Sequence, residues 1–274
     1  MVGITLLVVL YGIILTFRRD ATANPKWEIA LFYFVFISSL SVGLRVRTSL
    51  KALIASVALV LMIILSGSRY YAVTAFFLIT IIHVFIFTGA FILYGALKSR
   101  SGSGFLSLGV FVVCALSFFA FMPHDQAFSV GEYVRATYRS FNALNAELLK
   151  LLRLGSGTSA REIYESSEGT AVMRFIAFAY TYHYLNWFSK TSIIKWHKAA
   201  KRHAVWVFGG WLAALGLYAY DYETGMTLLY SLSILHVMLE FPLNHQTFAG
   251  IFRELLNFRR LQPPSHGSFT PARN

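Results

Sequence analysis

Charge is scarce in this chain. Only 13% of its 274 residues are Asp, Glu, Lys or Arg, where a soluble domain carries about 25%. Acid is scarcer still, with 12 Asp+Glu against 24 Lys+Arg and a net charge of +12. The single cysteine, Cys114, excludes an internal disulfide and leaves no redox-compartment signal. No repeat of solenoid period is present, and no inverted repeat of the transporter kind is evident. No HxxxH, HxxHH or HExxH pattern occurs in any apolar run, so a metal site here cannot be read from one local motif.

Apolar sequence fills the space these absences leave. Hydrophobic residues make up 57% of the chain, with a mean hydropathy of +0.59. A membrane span needs about 20 apolar residues. About eight runs approach that length (seven to eight spans), at 2–17, 27–44, 50–66, 70–97, 104–122, 170–189, 204–220 and 225–244. Their continuity excludes a barrel, whose strands alternate over about ten residues. The expectation is therefore an all-α, polytopic membrane bundle forming a single membrane domain over 1–274. The first run lacks a basic residue before it and a small-residue cleavage site after it, so it reads as a retained helix.

Five spans fall in 1–122 and three in 170–245. Between them, 123–169 is polar, and Val134, Tyr138, Phe141, Leu144, Leu148 and Leu151 recur in it at helical spacing. That pattern predicts an amphipathic helix on the membrane surface or capping the bundle. A second amphipathic, basic segment is expected over 246–274, along the inner surface. Pro242 marks the end of the last span or a kink in it.

The cations do not suggest nucleic acid. They gather in short loops that lie on one side if both termini are cytoplasmic: Arg45, Arg47 and Lys51, then Lys98 and Arg100, then the 190–202 loop and the tail. The positive-inside rule then places the chain in a plasma membrane, a bacterial inner membrane, with lipid head groups as partners. Trp196, His197 and His203 in the basic loop read as interfacial anchors.

Against this apolar background the polar residues stand out. His236, Glu240 and Asn244 follow one another at steps of four in the last run, on one helix face. Glu240 is a carboxylate at membrane depth, where an ionised side chain costs roughly 2.5–3.5 kcal/mol near the bilayer centre unless compensated. In the sixth run, His183, Asn186, Trp187 and Lys190 share a face, with Tyr180 one turn before. His83 stands mid-way in the fourth run, with Thr80 one turn above it. Imidazoles from three helices could hold Fe, Cu or Zn.

The expected site therefore has His83, His183 and His236 as metal ligands, with Glu240 as fourth ligand or base. Lys190 and Tyr180 join Glu240 in a catalytic role, and Asn186, Asn244 and Trp187 line the bound group. One histidine per helix is similar in distribution to the membrane-embedded bacterial carotene dioxygenases, which hold iron through histidines on several spans. Their local motifs are absent, and no residue is carried over from them. The function expected is a membrane oxidoreductase, iron-dependent, acting on a lipid-soluble substrate, with one haem between two histidines as the alternative cofactor. Two other readings use the same residues. One is a proton-coupled transporter built on Glu240, His236 and Lys190. The other is a subunit held to further membrane subunits by polar interhelical contacts.

Overall fold

The computed structural model of the chain describes residues 25–43, 47–65, 73–74, 76–122, 130–189 and 201–260. Among these the chain is 91% helical and holds no strand, so it is all-α. Helices α1 (Pro25–Gly43) and α2 (Thr48–Leu65) pair with each other. A π-helical segment, Leu78–Phe87, runs directly into α3 (Thr88–Ser99), and α4 (Gly102–Ala120) returns beside it. The turn between α3 and α4 is capped: Ser101 Oγ accepts from the Gly104 amide.

The polar middle of the chain forms three short helices. These are α5 (Glu132–Tyr138), α6 (Asn142–Leu151) after a 3₁₀ turn at Arg139–Phe141, and α7 (Ala160–Glu165). Then come α8 (Ser167–Ser189), α9 (Lys201–Tyr220) and α10 (Tyr222–Arg260). Of the expected spans, 2–17 lies outside the described residues, and the described parts of the other seven fall mainly on helices. Two stretches are long and apolar enough on their own to cross a membrane: Leu78–Ser99 and Gly102–Ala120.

Two expectations about local structure need correcting. The amphipathic helix of the middle region is broken by the 3₁₀ turn, and its buried face differs from the spacing inferred. Leu144, Asn145, Leu148 and Leu149 are buried, whereas Val134 and Leu151 are exposed. The segment caps α8, so its inward face is set by α8 rather than by its own periodicity. The last span does not end at Pro242 either. Helix α10 runs through it, 39 residues and about 58 Å long in all, and takes in residues 246–260 of the segment expected as a separate surface helix. Pro242 removes one amide from the ladder, and α1 packs closely there. A Cβ on Gly43 would stand 2.8 Å from the Pro242 carbonyl oxygen, so only glycine allows this approach.

Two apolar clusters organise the molecule. One joins α6, α7 and α8 to the π-helical segment through Leu144, Leu148, Leu149, Ile163, Ile176, Ile81 and Val84. The other joins α1, the π-helical segment and α10 through Val35, Phe87, Val237, Met238 and Phe241. The π-helical segment belongs to both clusters, and the polar residues converge beside it.

Candidate metal centre

His83 lies inside the π-helical segment and is buried. π-Helical turns are rare and concentrate at functional sites. Their i→i+5 bonding also changes which residues share a face. In an α-helix, residues five apart point about 140° away from each other. Here His83 and Thr88 are five apart, and both reach His183. The rings of His83 and His183 are 4.9 Å apart between centroids, and Thr88 Oγ1 lies 2.9 Å from His183 Nδ1.

Helix α10 supplies the other two groups. Glu240 Oε2 lies 3.5 Å from His83 Nε2 and 3.4 Å from His236 Nε2. The His236 ring stands 5.7 Å from that of His83 and 6.4 Å from that of His183. One ligand atom from each of His83, His183, His236 and Glu240 can be chosen so that all four lie within 4.8 Å of one another, and the group could hold a metal ion.

The two carboxylate–imidazole separations discriminate between explanations. A good hydrogen bond between such groups spans about 2.7–3.2 Å, so both contacts are long for one. Two donors on one metal, at bonds of about 2.0–2.1 Å and angles of about 90–120°, stand about 2.8–3.6 Å apart. The observed 3.4 and 3.5 Å lie within that range and beyond a good hydrogen bond. Charge agrees with this. A carboxylate 4% exposed beside a histidine 3% exposed favours a nearby cation, and a divalent ion held by the three imidazoles would be one.

Thr88 is the residue that sequence spacing missed. A ligating histidine almost always has its second ring nitrogen fixed by a partner. With His183 Nδ1–H donating to Thr88 Oγ1, Nε2 keeps its lone pair for an ion. Thr80, expected near His83, instead donates its hydroxyl to the Phe76 carbonyl of its own helix. Only the π-helical register reveals Thr88, since an α-helical count turns it away from His83.

Of the other expected site residues, Trp187 places its ring 5.9 Å from His236. Asn244 is buried one turn beyond Glu240. Asn186 is partly buried, three residues after His183 on α8. The Tyr180 ring packs on Phe141 of the capping segment, 5.2 Å away. Lys190, Trp196 and His197 lie outside the described residues, and the expected Lys190–Glu240 meeting lies there with them; among the described residues Glu240 stands against His83 and His236. The centre has one open edge: the His236 side chain is 47% exposed, next to Trp187. No protein family, curated protein or solved structure matches the chain.

Proposed function

We propose that this chain is a polytopic membrane oxidoreductase in which His83, His183, His236 and Glu240 bind iron and act on a lipid-soluble substrate. The observation that carries the reading is the shared position of Glu240 Oε2, at metal-polyhedron distance from two imidazoles. Histidine with one carboxylate is a donor set suited to non-haem iron that keeps a position open for chemistry. Haem fits less well, because the Glu240 carboxylate sits between the imidazoles that would have to reach a porphyrin.

The membrane part of the reading rests on what the helices leave outside. Leu106, Val113 and Leu116 on α4 are 68%, 65% and 61% exposed, and Ile63 and Ile64 on α2 are 64% and 69% exposed. Apolar faces of this extent are rare on soluble monomers and ordinary against lipid. About eight spans, with basic loops and both termini cytoplasmic, accommodate every such face. A substrate dissolved in the same phase meets the centre at its open edge, between His236 and Trp187.

Metal analysis of protein purified in detergent is the direct test. About one equivalent of iron per chain is expected, lost in His183→Ala and in Glu240→Gln. Less than a tenth of an equivalent of any transition metal, before and after reconstitution with ferrous iron, would sink the proposal.

A further inference from the structure

Asn244 is 2% exposed, and neither its Oδ1 nor its Nδ2 has a hydrogen-bond partner among the described residues. A buried side-chain amide offers two donors and an acceptor, and leaving them unmade is costly. The apolar alternative, Leu, has the same branching and the same number of side-chain heavy atoms, so side-chain shape alone does not require an amide here.

The position of Asn244 indicates what it meets. Along α10, Glu240 faces His83, while Phe248 lies 5.8 Å from Phe87 between ring centroids. Asn244 lies midway between those two contacts, on the face that carries His236 and Glu240. Helical side chains lean toward the N-terminus of their own helix, which tips the amide toward the Glu240 carboxylate. The Thr88 hydroxyl on the neighbouring helix is already engaged with His183. A catalytic centre with four protein ligands needs a position for an exogenous ligand, and the Asn244 amide is a buried, unengaged donor beside it among the described residues.

We infer that Asn244 is a positioning residue for a small exogenous ligand on the metal, a water molecule or an anion, to which its Nδ2–H donates. This rests on the metal-binding reading above. Its chemistry is that of a lone-pair donor small enough to sit between Glu240 and the Phe87–Phe248 contact. Larger substrates are left to the His236 edge.

Azide is the probe, and cobalt(II) the reporter, because its visible spectrum changes when an anion enters the coordination sphere. Wild-type protein loaded with cobalt should bind azide saturably. Asn244→Leu should hold a full equivalent of cobalt yet bind azide about tenfold more weakly, as loss of one hydrogen bond to an anion implies. Asn244→Ser, smaller and still polar, provides the comparison if the leucine variant does not fold, and should also weaken azide. Unchanged azide affinity in a cobalt-loaded variant overturns the inference. So does cobalt-loaded wild type that takes no azide at 100-fold excess over protein, while the metal reading stands. Failure of wild type to take up any metal removes the metal reading itself, a separate outcome visible before azide is added.

Discussion

At the scale of single residues, the arrangement hinges on the Thr88–His183 contact. Removing a second-sphere partner of a ligating histidine costs about 10–100-fold in metal affinity. Thr88→Val keeps the shape and β-branching of the side chain and deletes only the hydroxyl. The expected outcome is a folded protein of normal helicity whose iron or cobalt dissociation constant rises about 10–100-fold. Competition with a coloured chelator measures it, and an unchanged constant would show that His183 needs no such support. Glu240 makes the complementary case. Its carboxylate is buried at apolar depth and, without an ion, faces imidazoles at more than hydrogen-bond distance. Glu240→Gln should therefore abolish metal binding while leaving the metal-free protein as stable as wild type or more so. Thermal melts of the chelated proteins in the same detergent test this. A metal-free variant that melts well below wild type would mean that the carboxylate is a structural group.

At the scale of elements, the loop before α7 shows how a short polar segment is held. The carboxylate of Glu162 accepts from the backbone amides of Ser156 and Thr158 and from the Ser156 hydroxyl, while Ser159 Oγ accepts from the Glu162 amide. This is a capping box whose glutamate reaches further back than usual, round Gly157 in its left-handed conformation at φ +62°. The Ser156 hydroxyl first, and then the loop amides, hold the Glu162 carboxyl below its ordinary range. A depressed pKa stabilises the folded loop at every pH above the unfolded value, about 4.3, and the contribution is lost as pH falls through the folded value. Hydrogen-exchange protection over 156–163 should therefore fall on acidification below about pH 4.3. In Glu162→Gln it should be low at neutral pH and insensitive to acid. Equal protection in the two proteins at pH 7 would show that the loop is held by something else.

How much of this the sequence disclosed also divides by element. His83, His183, His236 and Glu240 were visible because each is a polar residue in an apolar run, and the cost of such placement needs no structure to recognise. Thr88 was not, because hydropathy carries no trace of a π-helical turn and an α-helical count points the residue elsewhere. The passage of α10 through Pro242 was equally hidden. Proline announces a missing hydrogen bond, but the packing of Gly43 against that position is a fact about another helix. The buried face of α6 followed α8, a partner that local periodicity cannot identify.

At the scale of the whole molecule, the four candidate ligands do more than surround a point. Glu240 and His236 come from α10, His183 from α8 and His83 from the π-helical segment between the two apolar clusters. Among the described residues α8 and α10 share little direct packing; each leans instead on the π-helical segment, and α10 also on its continuation, α3. An ion at the centre would bond α8 to α10 directly and so add a link between the two clusters. A ligand that binds only the native state stabilises it by RT ln(1 + [L]/Kd), roughly 2.7 kcal/mol at a hundredfold excess over Kd. For a chain of this size that amounts to several degrees. Loading the chelated protein with ferrous iron or cobalt should raise its melting temperature by that order and increase exchange protection in α8 and α10 together. His183→Ala, which removes the one candidate ligand on α8 and leaves His83, His236 and Glu240, should lose both effects, whereas a substitution on the exposed apolar side of α4, such as Val113→Leu, should keep them. If metal raises the melting temperature of His183→Ala as much as that of wild type, the ion sits elsewhere and the three-helix junction is closed by packing alone.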